Sequence, residues 1–154
     1  MSIDRPVSGK LAYATPSTSS LASEKDAIHE VFVGYYDVYG RDSVAASAFY
    51  GEPTLVILQN EIVVLSTRAD VAAFFDKYVA SLKLSGYSHT RVGDYRVKFL
   101  NSTTALFSTI PIRMKTDGTE MQRSGFTYLL LKGDAGWQIH GIIATDIDKL
   151  ISAD

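Results

Sequence analysis

Moving a proton or holding a charge at neutral pH takes particular side chains, and this chain uses few of them. It has no cysteine and three histidines, His29, His89 and His140. Imidazole titrates near neutrality, so these are the first places to look for acid–base work. His140 sits in GWQIHGII, and if Tyr128 faces it across the preceding turn the two form an adjacent general acid/base pair. Arg113 lies one strand earlier and carries a planar fork of donors that suits a carboxylate or phosphate. Tyr35, Tyr36 and Tyr39 recur at helical spacing, where aromatics first of all fill a core and a phenol turned into a cavity is the rarer use. The ordinary alternatives are a half-buried His140 satisfied by tyrosine or backbone, and an Arg113 paired with Glu120 near a hairpin tip. His29 beside Glu30 reads as solvated, and Asp146 and Asp148 as solvating residues past the last strand. His89, His140 and the scattered acids lack ligand spacing, so no metal site is expected. No cofactor is expected either, because neither a glycine-rich phosphate loop nor a nucleophile elbow occurs.

The elements that position these groups centre on Ala105 to Asp146. Asp117-Gly118 and Lys132-Gly133-Asp134-Ala135-Gly136 are turn signals that cut this stretch into three antiparallel strands. With a two-residue loop at Asp117-Gly118, Ile112 lies opposite Arg123 and Arg113 opposite Gln122. If Tyr128 also faces His140, one sheet face carries Phe107, Thr109, Arg113, Gln122, Ser124, Phe126, Tyr128, Gln138, His140, Ile142 and Ala144. That mixture of aromatics, hydroxyls and a cation is the composition of a ligand pocket. The other face, with Leu106, Leu129, Leu131, Trp137, Ile139 and Ile143, is almost wholly apolar. Two apolar faces need two covers: helices for one and a second subunit for the other, which predicts a homodimer. A one-residue slip or bulge would exchange the assignments.

Upstream, residues 1–23 are rich in Ser, Thr and Pro and read as a flexible N-terminal arm, followed by a single domain over 24–154. A helix is predicted over Glu24 to Tyr39, capped by Ser23 with Asp26, with Ile28, Val31, Phe32, Tyr35 and Tyr39 in one stripe. Asp42 caps a short helix over about Ser43 to Tyr50. Thr54–Leu58 and Glu61–Leu65 form a hairpin at Gln59-Asn60, and Thr67 to Asp70 open a third helix whose apolar face runs Val71, Phe74, Phe75, Tyr78, Val79 and Leu82. One long strand is expected over Ser88 to Leu100. Helices first and antiparallel strands after give an α+β class. At 154 residues, 46% hydrophobic and 21% charged, the chain suits one globular domain. A net charge of -2 supplies no basic field for nucleic acid or membrane. Without a signal-peptide pattern or a spanning run, a cytoplasmic location is the expectation.

The helix VFVGYYDVYGRD, the FYGEPTLVIL segment, the third helix and the strands ending in GWQIHGIIATD together resemble the nuclear transport factor 2-like superfamily over about Glu24 to Asp148. The resemblance implies a cone: a curved antiparallel sheet wrapped round the long N-terminal helix, two further helices, a pocket at the open end, and dimers through the outer sheet face. It also places Tyr35 about where ketosteroid isomerase has its oxyanion-binding tyrosine. The isomerase's general base would fall within Thr54 to Leu58, which holds no acid, and its protonated aspartate near Thr127 or Tyr128.

Three functions follow as expectations. The first is a small-molecule-binding domain that holds a hydrophobic or aromatic ligand among Phe107, Thr109, Arg113, Ser124, Phe126 and Ile142. The second is an isomerase, dehydratase or cyclase in which His140 moves a proton while Tyr128 or Tyr35 stabilises an oxyanion. The third is a dimeric protein-interaction module using the arm or a sheet edge.

Overall fold

The computed structural model describes residues 18–152. Helix α1 spans Thr18–Val38, so Ser23 and Asp26 lie inside it rather than at its cap. Residues 1–17 of the expected arm lie outside the described residues, and 18–23 are the first turns of α1. One face of α1 and the residue after it bury Ile28, Phe32, Tyr35, Tyr36 and Tyr39, the stripe its periodicity predicts with Tyr36 added and Val31 only half-buried. Helix α2 covers Ser43–Ser47, and the Asp42 carboxylate accepts from Ala45 N at 3.0 Å as the cap. Helix α3 covers Arg68–Lys83 behind a capping box in which Thr67 and Asp70 satisfy each other's backbone N–H.

The nine strands are β1 (Tyr50–Leu58), β2 (Glu61–Leu65), β3 (Tyr87–Arg91), β4 (Tyr95–Asn101), β5 (Thr104–Thr109), β6 (Ile112–Lys115), β7 (Glu120–Arg123), β8 (Gly125–Gly133) and β9 (Gly136–Thr145). They form a six-stranded sheet in the order β2-β1-β9-β8-β5-β4 and a three-stranded sheet β3-β6-β7. The β1–β9 joint is parallel and every other pairing antiparallel. Three chain segments pass from one sheet to the other, at 92–94, 110–111 and 124. The single strand expected over Ser88 to Leu100 is therefore two, and so are the first two strands of the expected meander. Pro111 has no N–H to give a ladder, so a break there leaves no donor stranded. The curved larger sheet receives α1 on its concave face, where Phe32 stacks on Phe107 with ring centroids 3.9 Å apart and planes 6° from parallel. At the other end of α1, Glu24 accepts from Trp137 Nε1 at 2.9 Å and pairs with Lys132, which ties the helix to the β8–β9 hairpin.

Register decides which side chains share a face, and it holds in one hairpin and shifts in the other. Ile112 pairs with Arg123 and Arg113 with Gln122, as the Asp117-Gly118 turn predicts. Beyond them Met114 pairs with Glu120, and Lys115 N bonds Thr119 O at 2.8 Å, so the loop holds three residues, with Gly118 at φ 88. In the β8–β9 hairpin Tyr128 pairs with Ile142, not His140. A bulge between Leu129 and Leu130 leaves His140 without a cross-strand partner. Everything between the bulge and the turn changes sides: Trp137 and Ile139 are buried in the core, where alternation from Tyr128 had set them on the outer face. Gly51 on β1 accommodates the bulge, because a Cβ there would lie 2.1 Å from His140 Nε2.

The outer face of the larger sheet carries Leu55, Ile57, Leu106, Leu129, Leu131 and Ile143, the residues that alternate with the buried set. Leu55 and Leu131 keep 38% and 40% of their surface exposed. At its Ser108 end this face is crossed by the C-terminal segment: Ile151 N donates to Ser108 Oγ at 3.2 Å, and Arg96 Nη1 donates to Ile151 O at 3.3 Å.

Two outcomes test this packing. Phe32→Ala removes the ring at the centre of the core and is expected to lower unfolding free energy by about 3–5 kcal/mol in a denaturant titration. Gly51→Ala drives the His140 ring off its perch at a cost of about 1–3 kcal/mol. In a His140→Ala background that cost is expected to fall by more than half; equal costs in both backgrounds would mean the close approach is energetically idle.

Candidate functional site

The open end of the cone holds a cavity lined by Tyr35 and Tyr36 of α1, Tyr39 just past its end, Val56 and Leu58 of β1, and Phe74, Phe75 and Tyr78 of α3. Thr90 of β3, Pro111, Arg113 of β6, Phe126 and Tyr128 of β8 and Ile142 of β9 complete it. The enclosed space is about 50 Å³, within a concavity of about 500 Å³ when the space open to solvent is counted. The enclosed part has room for a few waters. Anything larger has to use the open part, at whose rim Tyr78 keeps 38% of its surface exposed.

The positioning follows from the elements. Turns of α1 carry Phe32, Tyr36 and Tyr39 up one side, so the phenols begin where the hydrocarbon core ends. Tyr36 and Tyr128 share a hydrogen bond at 2.6 Å between hydroxyls, the polar feature at the cavity's base. The kink at 110–111 turns β6 over the mouth. That brings in Arg113, 6% exposed, with its guanidinium 5.4 Å from the centre of the Tyr78 ring. Tyr87 Oη and Thr90 Oγ1 lie 2.6 Å apart on the same side.

Electrostatically the cavity is one cation among neutral phenols. Burial pushes the pKa of Tyr35 and Tyr36 well above the ordinary phenol value. Burial also raises Tyr39 and Tyr128, with Arg113 opposing the shift in each and the Tyr36 hydrogen bond opposing it in Tyr128. For Arg113, burial acts to lower the pKa, but Tyr78 and Tyr39 outweigh it and the guanidinium stays charged. The lining holds no Asp, Glu, His or Lys. So no lining group can accept a proton at neutral pH. What the arrangement offers is aromatic surface, two linked hydroxyls and a positive charge.

The residues singled out from sequence separate into two groups. Arg113, Tyr128, Tyr35, Phe126 and Ile142 line the cavity. His140 does not: its Nδ1 lies 2.8 Å from Pro53 O, on the far side of the bulge that displaced it. It forms no pair with Tyr128 and makes no contact with Tyr35. Phe107 is fully buried beneath Phe32, so it is core rather than lining. Thr109 is buried and donates to Asp94 O at 2.9 Å, and Ser124 accepts from Gln122 Nε2 at 3.0 Å; neither reaches the cavity. Arg113 is not paired with Glu120, which instead binds Arg123. Sequence reading left out Val56, Leu58, Phe74, Phe75, Tyr78, Thr90 and Pro111. Phe74 and Tyr78 were legible as one α3 face, but the break in the strand after Gly86 hid where Thr90 would stand. Among the described residues no three His, Cys, Asp or Glu side chains gather as a metal site would need, and no helix is long and apolar enough to cross a membrane.

Comparison with known proteins matches this architecture. A solved domain of unknown function with a cystatin-like fold from Nostoc punctiforme superposes with a TM-score of 0.65 at 26% identity, over 88% of this chain and 81% of that one. An NTF2-like protein with a cystatin-like fold from Novosphingobium aromaticivorans gives a TM-score of 0.65 at 18% identity, over 91% and 96%. The yeast UBP3-associated protein BRE5 gives 0.62 at 18% identity, over 80% and 95%. No curated protein matches by sequence. The profile of the family described as NTF2-like protein (DUF6841) matches residues 23–147. The cone, its α+β class and this match agree, and the chain belongs to that NTF2-like family.

Proposed function

We propose that this protein is a small-molecule-binding domain whose site is the cavity at the open end of the cone. The observation that carries the reading is the lining itself: aromatic walls from α1, α3 and β8, converging polar groups, and no Asp, Glu, His or Lys to accept a proton. Apolar walls with a few aimed polar groups are what a binding site needs. An isomerase, dehydratase or cyclase needs in addition a positioned base, and the histidine nominated for that work bonds Pro53 instead. The ligand body rests against Phe74, Phe126, Val56 and Ile142, and its polar end meets the polar groups of the lining, Arg113 and the Tyr36–Tyr128 pair.

The outer sheet face favours a second element of the proposal, a homodimer. Its half-exposed Leu55, Leu131, Leu129 and Ile143 form an apolar surface on the side away from α1, and a second copy would cover it by the same residues across a two-fold axis.

Both parts are testable. In methyl NMR, millimolar phenol or benzyl alcohol is expected to shift the Ile142, Val56 and Leu58 methyls ahead of those on the outer face. Val56→Phe, which fills the cavity, is expected to abolish those shifts. Shifts that ignore the lining methyls would reject the binding reading. By sedimentation velocity the wild type is expected to run as a dimer and Leu129→Glu as a monomer, with the lining methyls unperturbed. A monomeric wild type would reject the dimer and leave the cavity reading untouched.

A further inference from the structure

Arg113 presents a problem that the lining alone does not solve. It is 6% exposed, and among the described residues no Asp or Glu lies within ion-pair distance of it. Its recorded neighbours are phenols: Tyr78, which shares a side-chain hydrogen bond with it and whose ring centre lies 5.4 Å away, with Tyr39 and Tyr128 close enough to feel its charge. Burial raises the pKa of Tyr39 and Tyr128, so neither supplies a counter-ion. A buried cation without an anion is costly, and proteins ordinarily pair such a group or keep it in water. Here no acid is paired with it, and the guanidinium faces the concavity beside Tyr78. The kink at Pro111 turns Arg113 inward over the cavity, where Glu120, the nearest acid by hairpin register, is already taken by Arg123.

Resting on the small-molecule reading above, we propose that the cavity takes a small organic carboxylate, its carboxylate group on the Arg113 guanidinium and its apolar body among Phe74, Phe126, Val56 and Ile142. The shape of the donor and the space both favour this class. Guanidinium and carboxylate match as planar forks with two parallel hydrogen bonds. The enclosed 50 Å³ admits little beyond such a head group, and the aromatic walls of the wider concavity suit a flat hydrocarbon body. One cation also matches one negative charge; a phosphate dianion would lack both a second cation and an array of backbone N–H groups. The arginine is then a binding residue whose counter-ion is the ligand's carboxylate.

Benzoate, with benzamide and benzyl alcohol as neutral counterparts and inorganic phosphate as the tetrahedral anion, separates the possibilities. Benzoate is expected to raise the melting temperature and shift the Ile142 and Val56 methyls, with benzamide binding roughly 10-fold more weakly. Arg113→Gln is expected to weaken benzoate roughly 30-fold or more while leaving benzamide within a few-fold. Without ligand, Arg113→Gln is expected to melt at or above the wild-type temperature, because it removes an unpaired buried charge. A purely structural arginine would instead melt lower on substitution, with benzoate and benzamide affected alike, and that result overturns the proposal. Phosphate stabilising the protein as strongly as benzoate would overturn the carboxylate class. If the neutral aromatics shift the lining methyls as strongly as benzoate and Arg113→Gln treats all three alike, the acid assignment fails while the small-molecule reading stands. If none of the three moves a lining methyl, both fail.

Discussion

The contact on which everything else rests is the stack of Phe32 on Phe107. Two aromatic rings at 3.9 Å, nearly parallel, set the depth and rotation of α1 in the concave sheet. Once Phe32 is fixed, helical geometry settles the rest of that face. Tyr36 stands one turn above and meets Tyr128 through its hydroxyl, and Tyr39 stands a turn further toward the opening. The cavity floor is therefore the upper surface of the core, which is why the enclosed space is small. A looser stack would deepen the site, but it would do so by opening the core to water.

The walls depend on a different device. Three segments cross from the larger sheet to the smaller one within a few residues of each other in the fold, and the bend they make carries β3 and β6 across the open end. A strand that continued straight would carry Arg113 on into solvent, where a guanidinium is cheap to keep. The bend makes it expensive and puts it to use. α3 supplies the facing wall through Phe74 and Tyr78, so the mouth lies between an element tied down by a capping box and a sheet held by backbone ladders. The polar lining is thus rigid on both sides, with the exposed Tyr78 ring as its most adjustable part.

How much of this was legible in the sequence divides along a physical line. Features written in local chemistry were plain: the Asp42 and Thr67–Asp70 caps, the Gln59-Asn60 hairpin, the α1 stripe, and the hairpin at Asp117-Gly118, whose Ile112–Arg123 pairing holds although the loop has three residues and a bulge where two residues were expected. The α+β cone followed from element order and resemblance together. Features that depend on how one strand meets another were not written locally. The β9 bulge inserts one residue into a period of two, and alternation counted from Tyr128 then misplaces His140, Trp137 and Ile139 at once. The apolar character of Trp137 and Ile139 against the polar Gln138 and His140 was the available hint, since Trp and Ile belong in a core more readily than Gln and His. Nor does composition reveal that one strand after Gly86 would become two in different sheets, which is why Thr90 was overlooked. Of the residues nominated from sequence, Arg113, Tyr128, Tyr35, Phe126 and Ile142 line the cavity, and the bulge accounts for the absence of His140.

The packing of Gly51 under His140 reaches beyond stability into descent. Because no Cβ fits at position 51 while the imidazole occupies that space, the two positions are not free to drift independently. A lineage that replaces the histidine with something smaller gains the freedom to change the glycine. A lineage that tries the steps in the other order passes through a strained intermediate. Among relatives that keep the bulge, the identity at 140 should therefore set what is permitted at 51, and the historical order of those two changes should run one way.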